Sequence, residues 1–327
     1  MSNEALIKIA LDTLKCSQKE LALKVGVSPT QITQWKQGEY MSSVMETKLR
    51  ELCNIGSHFP EFVLTAGSAE SADKWSALML FLAESAMDGD ETGYDSSYVL
   101  RDTPEILCST TFEIMQEIGI KIPTTFPEEL NVDGNEDWSE EKYEMLLGSS
   151  DGNYAISTFI SSLYKSTTNI FGFYQAFMLP WITDLRDINA AEEYDVIFDD
   201  LDASILELAA AKMEIDEVFA PQFRKFEYAT LKSWGGWIEA TKQAAFRYNI
   251  PLKAELSLMI SESSDVIGVE AESEGLGFNK HKLHPDIYMN ELLVGMKTLH
   301  QILPLILKKL EIDPDEIHEA VFGEKPQ

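Results

Sequence analysis

SQKELALKVGVSPTQITQWKQG, residues 17–38, reads as two short helices joined by a tight glycine turn. Ser17 is a good N-cap, because its hydroxyl can accept from the free backbone N–H groups of the helix that follows, and Glu20 three positions on completes a capping box. A helix is therefore expected from Gln18. Leu21, Ala22 and Val25 fall on one apolar face, and Gly26 supplies the positive φ that a helix end commonly needs. Val27 plugs the turn, Ser28 caps the next helix, and Pro29 occupies its first position, where a missing N–H costs nothing. Ile32 and Trp35, three apart, point inward, Gly38 closes the helix, and Thr30, Gln31, Thr33, Gln34 and Lys36 are left outside.

These residues resemble the helix-turn-helix of the lambda repressor and Cro class, the XRE-type regulators. The family pattern is a Gln opening the second helix, a Leu-Ala pair, a turn Gly, a Val-Ser, then Ile and an aromatic or Leu ahead of a Gly. Gln18, Leu21 with Ala22, Gly26, Val27 with Ser28, Ile32, Trp35 and Gly38 take those places here. The resemblance implies a DNA-binding head in which Pro29, Thr30 and Gln34 lie where base edges are touched, and Gln18, Gln31 and Lys36 lie near phosphates, with Thr33 on the same outward side. A Pro side chain cannot hydrogen-bond, so direct readout rests mainly on Gln34, which can pair with adenine N6 and N7, and on the Thr30 methyl against a thymine methyl. A helical bundle that uses the same pattern only for packing, or to bind protein, is the alternative.

The flanks agree with a compact helical head. Glu4 to Leu14 places Leu6, Ile9, Ala10 and Leu14 on one face, and Ser42 or Ser43 caps a further helix carrying Val44, Met45, Leu49 and Leu52. The head is assigned to residues 1–56, a partly docked linker to 57–73, and a mostly helical acidic body to 74–327. Phe59, Phe62, Val63 and Leu64 make the linker too apolar to be freely flexible.

Charge divides the chain unevenly. Residues 1–56 hold 7 Lys plus Arg and 6 Asp plus Glu, whereas the whole chain carries a net −29. The body therefore carries a net −30, on 19 basic and 49 acidic side chains. Affinity for DNA comes largely from neutralising phosphates, so a binder must hold such a body away from the duplex or bind weakly. The charge has three competing explanations: a solvated surface, a face that docks a basic partner protein, or mimicry of DNA phosphates. The densest acidic stretches are 88–95, 133–144, 192–202 and 270–274.

With 45% hydrophobic and 10% aromatic residues the body can bury a core. Cys16, Cys53 and Cys108 are too few and scattered for a disulfide framework or a metal knuckle, which points to a reducing cytoplasm. The longest apolar stretch, 170–182, contains Gln175 and Pro180 and falls short of the roughly 20 residues a spanning helix needs, so it reads as a buried core helix and no membrane partner is expected. The N-terminus lacks the basic start and apolar core of a signal peptide.

Apolar residues three and four apart predict helices over 74–87, 104–118, 140–147, 154–179, 196–213 and 217–248, the last broken by Gly235 and Gly236. The fold class is mainly α. One stretch differs: Leu252, Ala254, Leu256, Leu258 and Ile260 alternate strictly with their neighbours, the period of a half-buried strand, and 266–271 is its expected hairpin partner. Such a small hairpin needs packing on helices or pairing across a dimer. A strongly apolar helix over 287–310, interrupted by Pro304, follows, then a short capped segment from Asp313. Members of the class gain affinity by pairing on two half-sites, so a homodimer is expected from the body, with Leu292, Leu293, Met296, Leu299 and Leu303 as candidates for its face, although an intramolecular core accounts for them as well.

The search for catalysis finds no Walker-type loop, no GxSxG elbow and no HExxH, and no cofactor or enzymatic activity is expected. His281 and His284 are spaced for a metal pair but lack a third ligand nearby, and Asp195, Asp199, Asp200 and Asp202 read as well as a solvated helix start as a cation site. The expectation is a cytoplasmic, sequence-specific, dimeric transcriptional regulator acting on double-stranded DNA. An acidic interaction protein or inhibitor that binds a basic partner, in one form as a DNA mimic, is the alternative. A ligand sensor is a third reading, with no residue that names its ligand.

Overall fold

The computed structural model describes residues 3–132, 140–180, 182–183, 201–248, 256–278 and 285–310, with side chains for all of these but 201–203 and 285–291. Among them the regular structure is entirely helical. Four helices build the N-terminal unit: α1 (Asn3–Thr13), α2 (Gln18–Val25), α3 (Pro29–Lys36) and α4 (Ser43–Cys53). Helix α1 packs on α3 and α4, and α2 on α3, so that Leu6, Ile9, Leu21, Val25, Ile32 and Leu49 close one core. Each side chain of that size contributes about 1.5–3 kcal/mol when fully buried. Val44 stays exposed and Leu52 largely so, which leaves Leu49 and Cys53 as the anchors of α4.

The segment after the head is helical as well. Helix α5 (Pro60–Ala66) buries Phe62 and Val63 against α1, α6 (Ala69–Asp88) and α8 (Pro104–Glu117). The Phe62 ring lies 4.8 Å from that of Phe112, and His58 Nε2 lies 2.8 Å from Asp73 Oδ1. Gly67, at φ +87°, ends α5 where the carbonyl oxygen of Thr124 would sit 2.1 Å from a Cβ, so only glycine fits both the turn and the gap.

Helix α10 (Tyr154–Phe173) is the axis of the body, continued by one π-helical segment, Tyr174–Met178. It packs against α6, α9 (Glu140–Gly148), α11 (Leu201–Ala211) and α14 (Ser264–Gly275). Its buried hydroxyls find carbonyl partners: Thr167 donates to the Leu163 carbonyl one turn back at 2.8 Å and Ser166 across to that of Ala209 in α11 at 3.1 Å. The buried Tyr164 hydroxyl meets Thr111 Oγ1 at 3.0 Å. Residues 170–178 lie almost wholly in this core, and no helix among the described residues is long and apolar enough to cross a membrane.

The structure replaces the expected hairpin by helix. Residues 252–255 lie outside the described residues, Leu258–Ser261 forms the short α13, and 266–271 lies inside α14. The physical reason is spacing that alternation concealed. Leu256 and Met259, three apart, are both fully buried, as are Ile267 and Ala271, four apart, and the Ser263 hydroxyl caps the Val266 amide at 3.5 Å. Gly268 lets α14 approach α10 so closely that a Cβ would meet Asn169 Oδ1 at 2.5 Å.

Two further boundaries differ. Helix α12 begins at Phe223 rather than 217 and runs unbroken through Gly235 and Gly236 to Tyr248. The last helix, α15 (Pro285–Leu310), continues through Pro304, which removes one backbone N–H without ending it. The short α7 (Ser97–Leu100) and the acidic loop before it show where some of the charge is used: Asp90 accepts from the Thr92 amide at 2.8 Å and Asp95 from the Ser97 amide at 2.9 Å. These two carboxylates build turns.

Candidate nucleic-acid interface

Local chemistry sets both helices of the turn. Ser17 Oγ accepts from the Glu20 amide while Glu20 Oε2 accepts from the Ser17 amide at 2.8 Å, a complete capping box. That hydrogen bond holds the Glu20 carboxyl below its usual range, so the cap stays charged. Gly26 ends α2 at φ +82°, with its N–H and that of Val27 both donating to the Ala22 carbonyl at 2.9 Å. No neighbour lies within 4 Å of a Cβ built there, so glycine is required by the backbone rather than by space. Ser28 Oγ then accepts from the Gln31 amide at 3.2 Å, Pro29 takes the first position of α3, and Gly38 at φ +87° follows its end.

Ile32 and Trp35 pin α3 into the core, at 0% and 4% exposure. At 100° per residue, Thr30, Thr33 and Gln34 fall on the opposite face, with Gln31 and Lys36 on its flanks. Pro29, Thr30, Thr33 and Lys36 are exposed, whereas Gln31 and Gln34 are half-buried. Gln18, half-buried, opens α2. The Thr33 hydroxyl donates to the Pro29 carbonyl at 3.2 Å, which leaves its methyl and lone pairs for an outside group. Lys36 makes no ion pair among the described residues, so its ammonium is available to an anion. An α-helix of this width, pinned on one side and polar on the other, has the dimensions to enter a major groove about 12 Å wide.

Two positioning hydrogen bonds are not apparent from the sequence. Lys48 of α4 donates to the Val25 carbonyl at 2.9 Å, placing a positive charge on the last turn of α2. Trp35 Nε1 donates to the Tyr40 carbonyl at 3.2 Å and so fixes the loop that leaves α3, with the Tyr40 ring itself exposed. Both depend on pairs 23 and 5 residues apart that no local pattern encodes.

The candidate metal and cation residues do not join this site. His281, His284, Asp195, Asp199 and Asp200 lie outside the described residues, and of Asp202 only the backbone within α11 is described. No group of three or more His, Cys, Asp or Glu arranged for a metal ion occurs among the described residues. Buried thiols are held protonated, with Cys53 and Cys108 each pushed up to about 11 by desolvation.

No curated protein and no solved structure matches the chain. A family model does: residues 7–54, from α1 to the end of α4, match the helix-turn-helix family. The N-terminal segment of this protein therefore carries an XRE-type helix-turn-helix, which suggests a DNA-binding regulator.

Proposed function

We propose that the protein is a sequence-specific transcriptional regulator of the cytoplasm that binds double-stranded DNA as a homodimer. In this reading α3 enters the major groove, and the helical body supplies pairing or receives a signal. The outward face of α3, with Thr30, Thr33 and Gln34 opposite the buried Ile32 and Trp35, is the observation that carries it. Gln34 pairs with an adenine edge and the Thr30 methyl meets a thymine methyl, while Gln18, Gln31 and Lys36 contact phosphates. Pro29, at the remaining base-facing place, contributes only van der Waals contact, so the preferred sequence is read at few positions.

Selection of bound fragments from random DNA tests this reading. The expected motif is a palindrome with half-sites roughly 34 Å, one helical turn, apart. Gln34→Ala combined with Lys36→Ala abolishes binding to it and leaves the fold intact. Unchanged binding of that double variant to every enriched sequence overturns the groove assignment.

A second reading rests on the net charge of −30 beyond residue 56: an acidic interaction protein or inhibitor that binds a basic partner, in the strongest form by mimicking DNA. Charge reversal at Asp199 and Asp200 that removes a salt-sensitive protein partner in pull-down favours it, and the lack of any such partner counts against it.

A further inference from the structure

Helix α15 is the one long helix whose apolar side meets nothing among the described residues. Nine of its apolar side chains are 43% to 66% exposed. Without Leu305, which lies on the far side of the helix, they offer an area on the order of 700 Å², above what a monomer ordinarily leaves in contact with water and close to one partner's share of a standard interface. The helix is held to the rest of the chain from another side, where Lys297 Nζ lies 5.4 Å from the Phe246 ring centre and donates to the Arg247 carbonyl at 3.4 Å.

Six of these exposed residues follow a heptad. Leu292, Met296, Leu299, Leu303, Ile306 and Leu310 are spaced 4, 3, 4, 3 and 4, and in the sequence the spacing continues back to Met289. At 100° per residue these six form one narrow stripe, whereas Pro304 and Lys297 point more than a quarter-turn away from it. A stripe of period 3.5 matches the seam of a helix packed at a shallow angle against another helix, whereas a lipid surface asks only for a broad apolar face. Charge does not oppose a second copy as the partner. Residues 285–310 hold Lys297, Lys308 and Lys309 against Asp286 and Glu291, a net of +1 on a chain of net −29. Two copies meeting through the acidic remainder of the body bring strong like charge together, whereas along α15 they meet over a nearly neutral surface.

We infer that α15 is the dimer seam of this protein, pairing with α15 of a second copy as a short two-helix coiled coil. The inference rests on the dimer within the proposed function and gives that dimer a surface. It also explains why a strongly apolar helix is tolerated at the surface of an otherwise acidic body.

Sedimentation of the full chain without DNA, combined with the Leu299→Glu and Leu303→Glu double variant, tests it. The wild type sediments as a dimer, and the double variant weakens the dimer by about 100-fold or more, since both positions are central to the seam. Its helicity, and its unfolding midpoint at concentrations where both are monomers, stay those of the wild type, because the substituted side chains are exposed in the monomer. Leu299→Ala weakens the dimer in the same direction with less perturbation of the helix, and keeps the test open should the double variant fail to fold. Leu305→Glu, exposed but off the stripe, leaves the dimer intact. A monomeric wild type, a dimer indifferent to the seam variants, or equal dissociation by Leu305→Glu overturns the inference. Flotation of the wild type with phosphatidylglycerol vesicles, lost in the double variant, overturns it in favour of a membrane surface. Its failure is separable from that of the DNA reading: a monomer that still enriches one DNA sequence sinks the seam alone, and a seam-dependent dimer that enriches none sinks the regulator alone.

Discussion

Helices α3 and α15 stand at opposite ends of the chain and are opposite in design. Helix α3 is 8 residues long, buries two large apolar side chains, and turns a polar face outward. Helix α15 is 26 residues long, touches the rest of the chain through α12, and turns an apolar stripe outward. An isolated 8-residue helix is marginal in water, so α3 exists because caps and core hold it. Its outward face is free of structural duty and can be chosen for contact with a polar partner. The outward face of α15 has no such freedom, since apolar area left in water costs free energy that only a covering surface recovers. Exposure thus carries opposite meanings at the two ends.

The sharpest way to break this contrast is truncation of one anchor on each helix. Ile32→Ala is expected to cost about 2–5 kcal/mol, because it leaves a cavity in a closed core, whereas Leu299→Ala changes the stability of the monomer by about 0.5 kcal/mol or less. Urea unfolding below the dimer concentration measures both, and equal losses at the two sites erase the distinction.

Next in size are the outward residues of α3. A bidentate pairing of the kind assigned to Gln34 is worth about 1–3 kcal/mol of discrimination, so Gln34→Ala relaxes preference at one base pair of the selected site. Lys36→Ala, by contrast, weakens binding to all sequences alike and lowers the slope of log affinity against log salt by about 1. Titrations at several salt concentrations separate the two, and identical profiles for both variants remove the division into base-reading and phosphate-contacting residues.

Backbone substitutions at the turn come third. Gly26→Ala forces a side chain to φ +82° with no steric neighbour, so its cost is the left-handed strain alone, about 1–2 kcal/mol. Ser17→Ala removes the capping box and costs about 1 kcal/mol. Thermal melts that show no loss for either leave α2 and α3 held by packing alone.

The smallest effect is on thiol reactivity. The Cys53 thiol in α4 is raised to about 11 by burial, so its thiolate fraction, and with it alkylation, climbs tenfold per pH unit until pH approaches 11. A cysteine placed on the seam by Leu299→Cys reacts at pH 8 at an ordinary rate in the dilute monomer and is protected at concentrations that form the dimer. Rapid labelling of Cys53 at pH 8, or equal labelling of the seam at all concentrations, contradicts the burial assigned to each.

The reading of the head from residues 17–38 agrees with the structure in its detail, and the reason is locality. Ser17, Glu20, Gly26, Ser28 and Gly38 each act on backbone groups within a few residues, so their pattern in the chain is already their geometry. The hairpin expected around 252–271 failed for the opposite reason. Leu256 and Ile260 satisfy an alternating and a helical template at once, Met259 only the helical one, and in the helix Gly268 lies against Asn169, nearly a hundred residues away. Lys48 reaching the Val25 carbonyl and Trp35 reaching that of Tyr40 were illegible because side-chain reach depends on how elements are placed.

By itself the amino-acid sequence determined that this chain opens with a helix-turn-helix, since capping, glycine turns and helical periodicity are short-range effects written in neighbouring residues. It also determined that two long apolar helices lie downstream, α10 and α15. The end of α10 already reads as core in the sequence, whereas the exposure of α15 was decided only by tertiary structure. Burial is a property of what comes to lie alongside, and α10 is enclosed by helices drawn from both sides of it in the chain while α15 is left with its heptad stripe in water.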